Sequence, residues 1–262
     1  MIAGKPIENG NYPSNEYYLD DNSQAVFGRY NVQYGSDDIG NDVKGSIFIV
    51  GNGTKNDARS NAFRITTDGN VMGTKAFQAE GADYAEYYEW ADGNALNDDR
   101  VGRFVTFEDG NKIRLANSDD DYILGVISAD PSIVGNGYTD QWKGLYLTDV
   151  YGRRIVEEIT VPEEDILDEE GNVIETIPEY KKYQYKVNPD YDSSKRYVGR
   201  NLRQEWSTVG THGQLVVIDD GSCLVNGYCQ VSENGTATAA AGKTEYRVVE
   251  RLDDKHIRIV IK

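Results

Sequence analysis

Short runs of alternating apolar and polar residues, separated by turn dipeptides, recur along the chain and predict a mainly β, hairpin-rich fold. Val105-Thr106-Phe107 leads through Asp109-Gly110-Asn111 into Lys112-Ile113-Arg114-Leu115, and Tyr246-Arg247-Val248-Val249 leads into His256-Ile257-Arg258-Ile259-Val260. In the same way Leu215-Val216-Val217-Ile218 is set against Cys223-Leu224-Val225 across Asp220-Gly221. Such Gly-containing turns suit hairpins because glycine takes positive φ at little steric cost.

One segment breaks the alternation. From Gly81 to Trp90, Ala82, Ala85 and Tyr88 fall at helical spacing and Ala91 continues the series. Asp83 fits an N-cap and Glu86 its capping-box partner, so a short helix near residues 83–91 is predicted, with the Glu86 carboxyl resting on the Asp83 backbone N–H. That N–H belongs to the Ala82-Asp83 peptide bond. The same geometry that caps a helix would let Glu86 protonate a departing amine, while Asp83 acts at the Ala82 carbonyl by handling a water or attacking directly. Two neighbouring carboxylates raise the pKa of one of them, which suits Glu86 as the acid. Glu89, three residues on, either assists or stabilises the same helix face.

Upstream, residues 1–82 are rich in Gly, Asn, Asp and Ser, with one apolar strand, Ile47-Phe48-Ile49-Val50, and a hairpin from Phe63-Arg64-Ile65 to Val71-Met72. This segment is too thin in apolar residues to fold well alone, which predicts oligomerisation with strands from several chains sharing a core. Residues 83–262 are denser in apolar positions and read as a self-sufficient domain.

Composition narrows the function classes. With 262 residues and 39% hydrophobic content the chain can bury a sizeable core. A formal net charge of -17 argues against a nucleic-acid partner, since phosphate binding needs clustered Lys and Arg. No apolar run approaches a membrane span, and Met1 to Pro6 lacks a signal-peptide core, so neither membrane insertion nor secretion is expected. Cys223 and Cys229 flank Asn226-Gly227; a two-residue turn there would put the thiols on opposite faces, and no disulfide is expected. The Asn-Gly-Thr triplets at Asn52 and Asn234 read as turns.

Phosphate-loop, nucleophile-elbow, Ser-x-x-Lys and His-Glu-x-x-His motifs are missing, and no cofactor or metal is expected. His212, in a glycine-flanked turn, and His256 read as structural, and Trp90, Trp142 and Trp206 as core or interface anchors. Residues 157–175 carry nine acidic and no basic side chains. Ile166 stands where a calcium loop ending its turn at Gly171 needs an oxygen ligand, so the segment reads as a solvated hairpin arm around Glu170-Gly171-Asn172.

At Gly81-Ala82-Asp83-Tyr84-Ala85-Glu86-Tyr87-Tyr88-Glu89-Trp90 the chain resembles the self-cleaving intramolecular-chaperone peptidase domain at the carboxyl end of bacteriophage neck-appendage and tail-spike proteins. The likeness continues through Asp121-Tyr122-Ile123-Leu124-Gly125-Val126-Ile127-Ser128, Asn188-Pro189-Asp190-Tyr191, Glu205-Trp206-Ser207-Thr208-Val209-Gly210 and Asn226-Gly227-Tyr228-Cys229 to Tyr246-Arg247-Val248. It implies a phage fibre or spike segment over 1–82 and an autoproteolytic chaperone domain over 83–262. It further implies a homotrimer, assembled in the host cytoplasm and carried in the virion appendage, and hydrolysis at Ala82-Asp83 with Asp83 and Glu86 as the matching acidic residues. Cleaving members can carry a small hydroxyl residue before the aspartate, whereas Ala82 stands here. The alternatives from other classes are a non-cleaving trimerisation cap and a receptor-binding tip, the latter suggested by 19 Tyr and three Trp.

Overall fold

The computed structural model describes residues 25–32, 46–66, 69–138, 143–168 and 170–262. Trp142 lies outside the described residues. The chain divides into two compact units, Met1–Ala79 and Glu80–Lys262.

In the first unit, strands β1 (Ala25–Arg29), β2 (Ser46–Asn52), β3 (Asn61–Thr66) and β4 (Val71–Gly73) form one sheet in that order. The β1–β2 pair is parallel and the other two are antiparallel, including the hairpin expected between β3 and β4. Its apolar content is a ladder of rings: Phe48 lies 5.5 Å from Phe27 and 6.1 Å from Phe63, and Phe63 lies 6.4 Å from Phe77. Among the described residues Ile49 is the one large apolar side chain of this unit that is fully buried, while Phe27 and Phe77 stand in the open.

The second unit carries β5 (Asp83–Trp90), β6 (Phe104–Phe107), β7 (Lys112–Leu115), β8 (Gly125–Ile127) and β9 (Ile133–Gly135). A hairpin arm follows, with β10 (Val156–Val161), β11 (Glu164–Leu167), β12 (Val173–Ile177) and β13 (Tyr180–Tyr185); then come β14 (Trp206–Ile218), β15 (Tyr228–Val231), β16 (Ala237–Ala239), β17 (Tyr246–Arg251) and β18 (His256–Ile261). In the arm β10 pairs with β13 and β11 with β12, and its residues are mostly exposed, as the acidic run requires. Its tip turns at Gly171, φ +86°, where the Asp168 carboxylate accepts from the backbone N–H of Glu170 and Asn172.

The remaining strands form a ten-stranded sheet ordered β16-β15-β17-β18-β14-β8-β6-β7-β5-β9, in which β14 also pairs with β5. That extra pairing closes β14, β8, β6, β7 and β5 into a five-stranded ring, which leaves none of the five with a fully open edge. Each strand of the ring gives one buried side chain to a shared core: Trp90, Val105, Ile113, Ile127 and Val209. The Trp90 Nε1–H donates to Ser207 Oγ at 2.9 Å, which satisfies its polar end inside the core. Phe104, Val126 and Val217, from three strands of the ring, join Val248, Ile257 and Ile259 of β17 and β18 in a second core cluster.

Three sequence expectations change. The short helix near 83–91 is a strand: the capping-box pattern is local, whereas Tyr84, Tyr87, Tyr88 and Trp90 favour a pleated surface and β5 has partners along both edges. Leu215–Ile218 pairs with β18 rather than with Cys223–Val225. Cys223 lies outside any strand, so the parity argument for opposite faces fails, and both cysteines sit as buried free thiols in the same core cluster. The hairpins β6–β7 and β17–β18 form as read.

Candidate active site

The amino end of β5 sits where β14 is distorted. The two strands run antiparallel with Ala85 opposite Gly210, Tyr84 opposite His212 and Asp83 opposite Gly213, so Thr211 is the extra residue of a β-bulge. His212 is therefore in a strand, not in the glycine-flanked turn predicted for it. Gly213 adopts φ +110°, and a Cβ there would lie 2.3 Å from the Ala82 carbonyl oxygen and 2.8 Å from Asp83 Cα. Only glycine fits both the conformation and the contact.

The backbone on either side of the Ala82-Asp83 bond is held. Gln214 N–H donates to the Ala82 carbonyl at 3.2 Å. The Asp83 carbonyl accepts from both the backbone N–H of Ser132, at 2.9 Å, and its hydroxyl, at 2.8 Å. Gly81 packs so closely on residues 130–132 that a Cβ would lie 2.5 Å from the Asp130 carbonyl oxygen.

Asp83 is 5% exposed, while Ala82 before it is exposed. Burial pushes the Asp83 carboxyl above the ordinary carboxylate range, with a smaller upward push from the Asp130 charge and an opposing pull from the Ser128 hydroxyl. Its Oδ2 has no hydrogen-bond partner among the described residues. Gly210 makes room for that oxygen, since a Cβ at 210 would stand 2.6 Å from it. A buried carboxyl with raised proton affinity and an unengaged oxygen, next to a peptide bond fixed on both sides, has the character of an acid–base group.

The other two acidic candidates are placed differently. In a strand, side chains three positions apart point to opposite faces, so Glu86 does not rest on the Asp83 N–H as a helix would require. Its carboxylate accepts from the Tyr84 hydroxyl at 2.7 Å and lies close enough to Tyr88 to raise that phenol's pKa, after the larger effect of burial. Gly135 of β9, opposite Glu86, leaves room for the Tyr84–Glu86 pair. Glu89 lies about 20 Å along the strand from Asp83, at ~3.3 Å per residue. It pairs with Lys112 at 2.8 Å.

Sequence reasoning missed Ser128, Ser132, Gly210 and Gly213. For the glycines a signal exists in Gly210-Thr211-His212-Gly213, two glycines inside a long strand, which marks a bulge or a close backbone approach. For the serines there is none, because their position comes from pairing across about 45 residues.

The chain is 35% identical over 158 residues to the pre-neck appendage protein of Bacillus phage B103, covering 60% of this chain and 16% of that protein. It is 33% identical over 174 residues to the putative phage-related protein YobO of Bacillus subtilis strain 168, covering 66% and 19%. The chain thus spans less than a fifth of the length of these curated relatives. The crystal structure of the bacteriophage phi29 gene product 12 C-terminal fragment superposes with a TM-score of 0.52 at 28% identity, over 69% of this chain and all of that one. The pre-mature phi29 gene product 12 superposes with a TM-score of 0.63 at 24% identity, over 82% of this chain and 26% of that one, a likeness of fold. The Peptidase_G2 family, described as the IMC autoproteolytic cleavage domain, matches residues 30–254, and the chain belongs to this family.

Proposed function

We propose that this chain is the carboxyl-terminal part of a phage appendage or spike protein, in which residues 83–262 bring three copies into register and are then released by self-cleavage at Ala82-Asp83. The observation that carries the cleavage is the buried Asp83 carboxyl, with one oxygen unengaged, beside a bond whose flanking carbonyls are both held. Hydrolysis adds one water across that bond. Its oxygen goes to the Ala82 carbonyl carbon; Asp83 takes one proton from the water and returns it to the departing nitrogen, and the new carboxylic acid gives the other to the amine, so that Ala82 ends as a carboxylate and Asp83 with an ammonium terminus. A single carboxyl of raised pKa serves both transfers, as general base and then general acid. Glu86, bonded to Tyr84 on the other face, has a supporting part, and Glu89 a structural one.

Support for the trimer comes from the first unit, whose described residues bury little beyond Ile49 and expose part of their ring ladder. Strands of neighbouring copies would complete that core. The intact mass of freshly expressed protein, followed over days, tests the cleavage: two fragments breaking at Ala82-Asp83 are expected, faster in Ala82→Ser, and absent in Asp83→Ala. Light scattering tests the assembly. A particle of one chain's mass, 29.3 kDa, contradicts the trimer. A soluble trimer made from residues 1–82 alone contradicts the chaperone role.

A further inference from the structure

We propose that the backbone N–H of Gln214, presented by the β14 bulge, is a catalytic group for the scission of Ala82-Asp83: it stabilises the charge that forms on the Ala82 oxygen. This inference rests on the cleavage reading above and assigns it a residue that lies 131 positions downstream of the aspartate.

The argument begins with the register. Along an antiparallel strand, successive N–H groups point to alternate edges. At Gln214 the N–H is directed to the β5 edge and donates to the Ala82 oxygen, while the neighbouring strand β18 pairs with the other edge of β14 from Gly213 to Ile218. The donor is thus a fixed dipole of a strand braced on both sides, and it needs no reorganisation when the carbonyl carbon becomes tetrahedral. Gly213 is what lets it come close: with φ +110° and no Cβ, it lies against both the Ala82 oxygen and Asp83 Cα, where any side chain would push the bond off the strand. Ser132 grips the next carbonyl with two donors. The peptide between these two grips can rotate little, so the Ala82 oxygen keeps facing Gln214 N–H while Ala82 itself is open to an attacking water. At 3.2 Å the ground-state bond is long, and it has room to shorten as negative charge builds on the oxygen.

The test replaces single backbone amides by esters in the full chain, using α-hydroxy acid analogues, and follows the rate of mass loss at Ala82-Asp83. The ester at Gln214 removes the N–H that faces the bond; the ester at Leu215 removes the adjacent N–H, which alternates to the β18 side. Cleavage slower by on the order of 100-fold in the Gln214 ester, with the Leu215 ester within about threefold of the parent, is the expected result. Thermal unfolding of both esters shows whether they fold, and comparable melting temperatures with divergent cleavage rates separate catalysis from packing. Equal rates in the Gln214 ester and the parent overturn this inference and leave the cleavage reading standing. A parent that never breaks at this bond, even with Ala82→Ser, overturns both.

Discussion

The two ends of β5 belong to one strand and pair with the same long neighbour, β14, yet their surroundings are opposite in kind. At the carboxyl end, Trp90 is fully buried in the ring core, its indole N–H is satisfied by Ser207, and Arg100 stacks 4.3 Å from its ring. At the amino end, Asp83 is as inaccessible as a core residue but carries an unengaged oxygen, opposite a bulge kept open by Gly210 and Gly213. The contrast teaches that burial alone does not identify a core position. A buried group whose hydrogen bonding is complete stabilises the fold, whereas a buried polar group left incomplete costs stability and is retained where it acts.

Substitutions at the two ends should therefore fail in different assays. The largest effect is expected from Asp83→Asn, which keeps the shape but loses the acid–base group: cleavage should fall by at least about 100-fold, read as intact mass over days. Trp90→Ala should leave the chemistry in place but remove the largest side chain of the ring core, lowering unfolding free energy by about 3–5 kcal/mol in urea titration. If Trp90→Ala abolished cleavage in protein that is still folded, the division between the two ends would be broken.

The pH dependence sharpens the same point. Asp83 in the folded chain holds its proton more tightly than at its ordinary value of 3.8, so the native state binds more protons than the unfolded state at pH values between 3.8 and the raised native value. Stability from this group therefore falls as pH rises through that window, and the cost persists at neutral pH. Asp83→Asn should raise the unfolding midpoint at pH 7 and change it little at pH 3. Cleavage by the parent should rise with pH through a titration lying above 3.8, since the base form starts the reaction.

Smaller effects are expected from the other two carboxylates of the strand, both half-buried. Glu86→Gln keeps an acceptor for the Tyr84 hydroxyl and should slow cleavage far less than Asp83→Asn; equal losses would make Glu86 a partner in the chemistry. Lys112→Ala removes the ion pair with Glu89, which is partly exposed, and should cost less than about 1 kcal/mol.

Much of the molecule was legible in its residues. Alternation and turn chemistry determined the β6–β7 and β17–β18 hairpins, the β3–β4 hairpin and the solvated arm, because in each the two strands are neighbours in sequence and a short turn sets their register. The Asp83 to Trp90 segment marked the place of the candidate chemistry. Its conformation was another matter. An Asp-x-x-Glu start offers a cap worth about 1 kcal/mol, and pairing along both edges of β5 outweighs it. That change of conformation turned Glu86 to the face opposite Asp83 and left Asp83 as the buried carboxyl. Closure of the ring by β14, the shared burial of Cys223 and Cys229, and the meeting of Gly213, Gln214 and Ser132 around the Ala82-Asp83 bond were decided by tertiary structure alone. The ring closure and the meeting at Ala82-Asp83 join residues tens to more than a hundred positions apart, and the two cysteines share a core filled by strands from across the sheet; contacts at that range depend on which strands pair, a choice that local pattern does not encode.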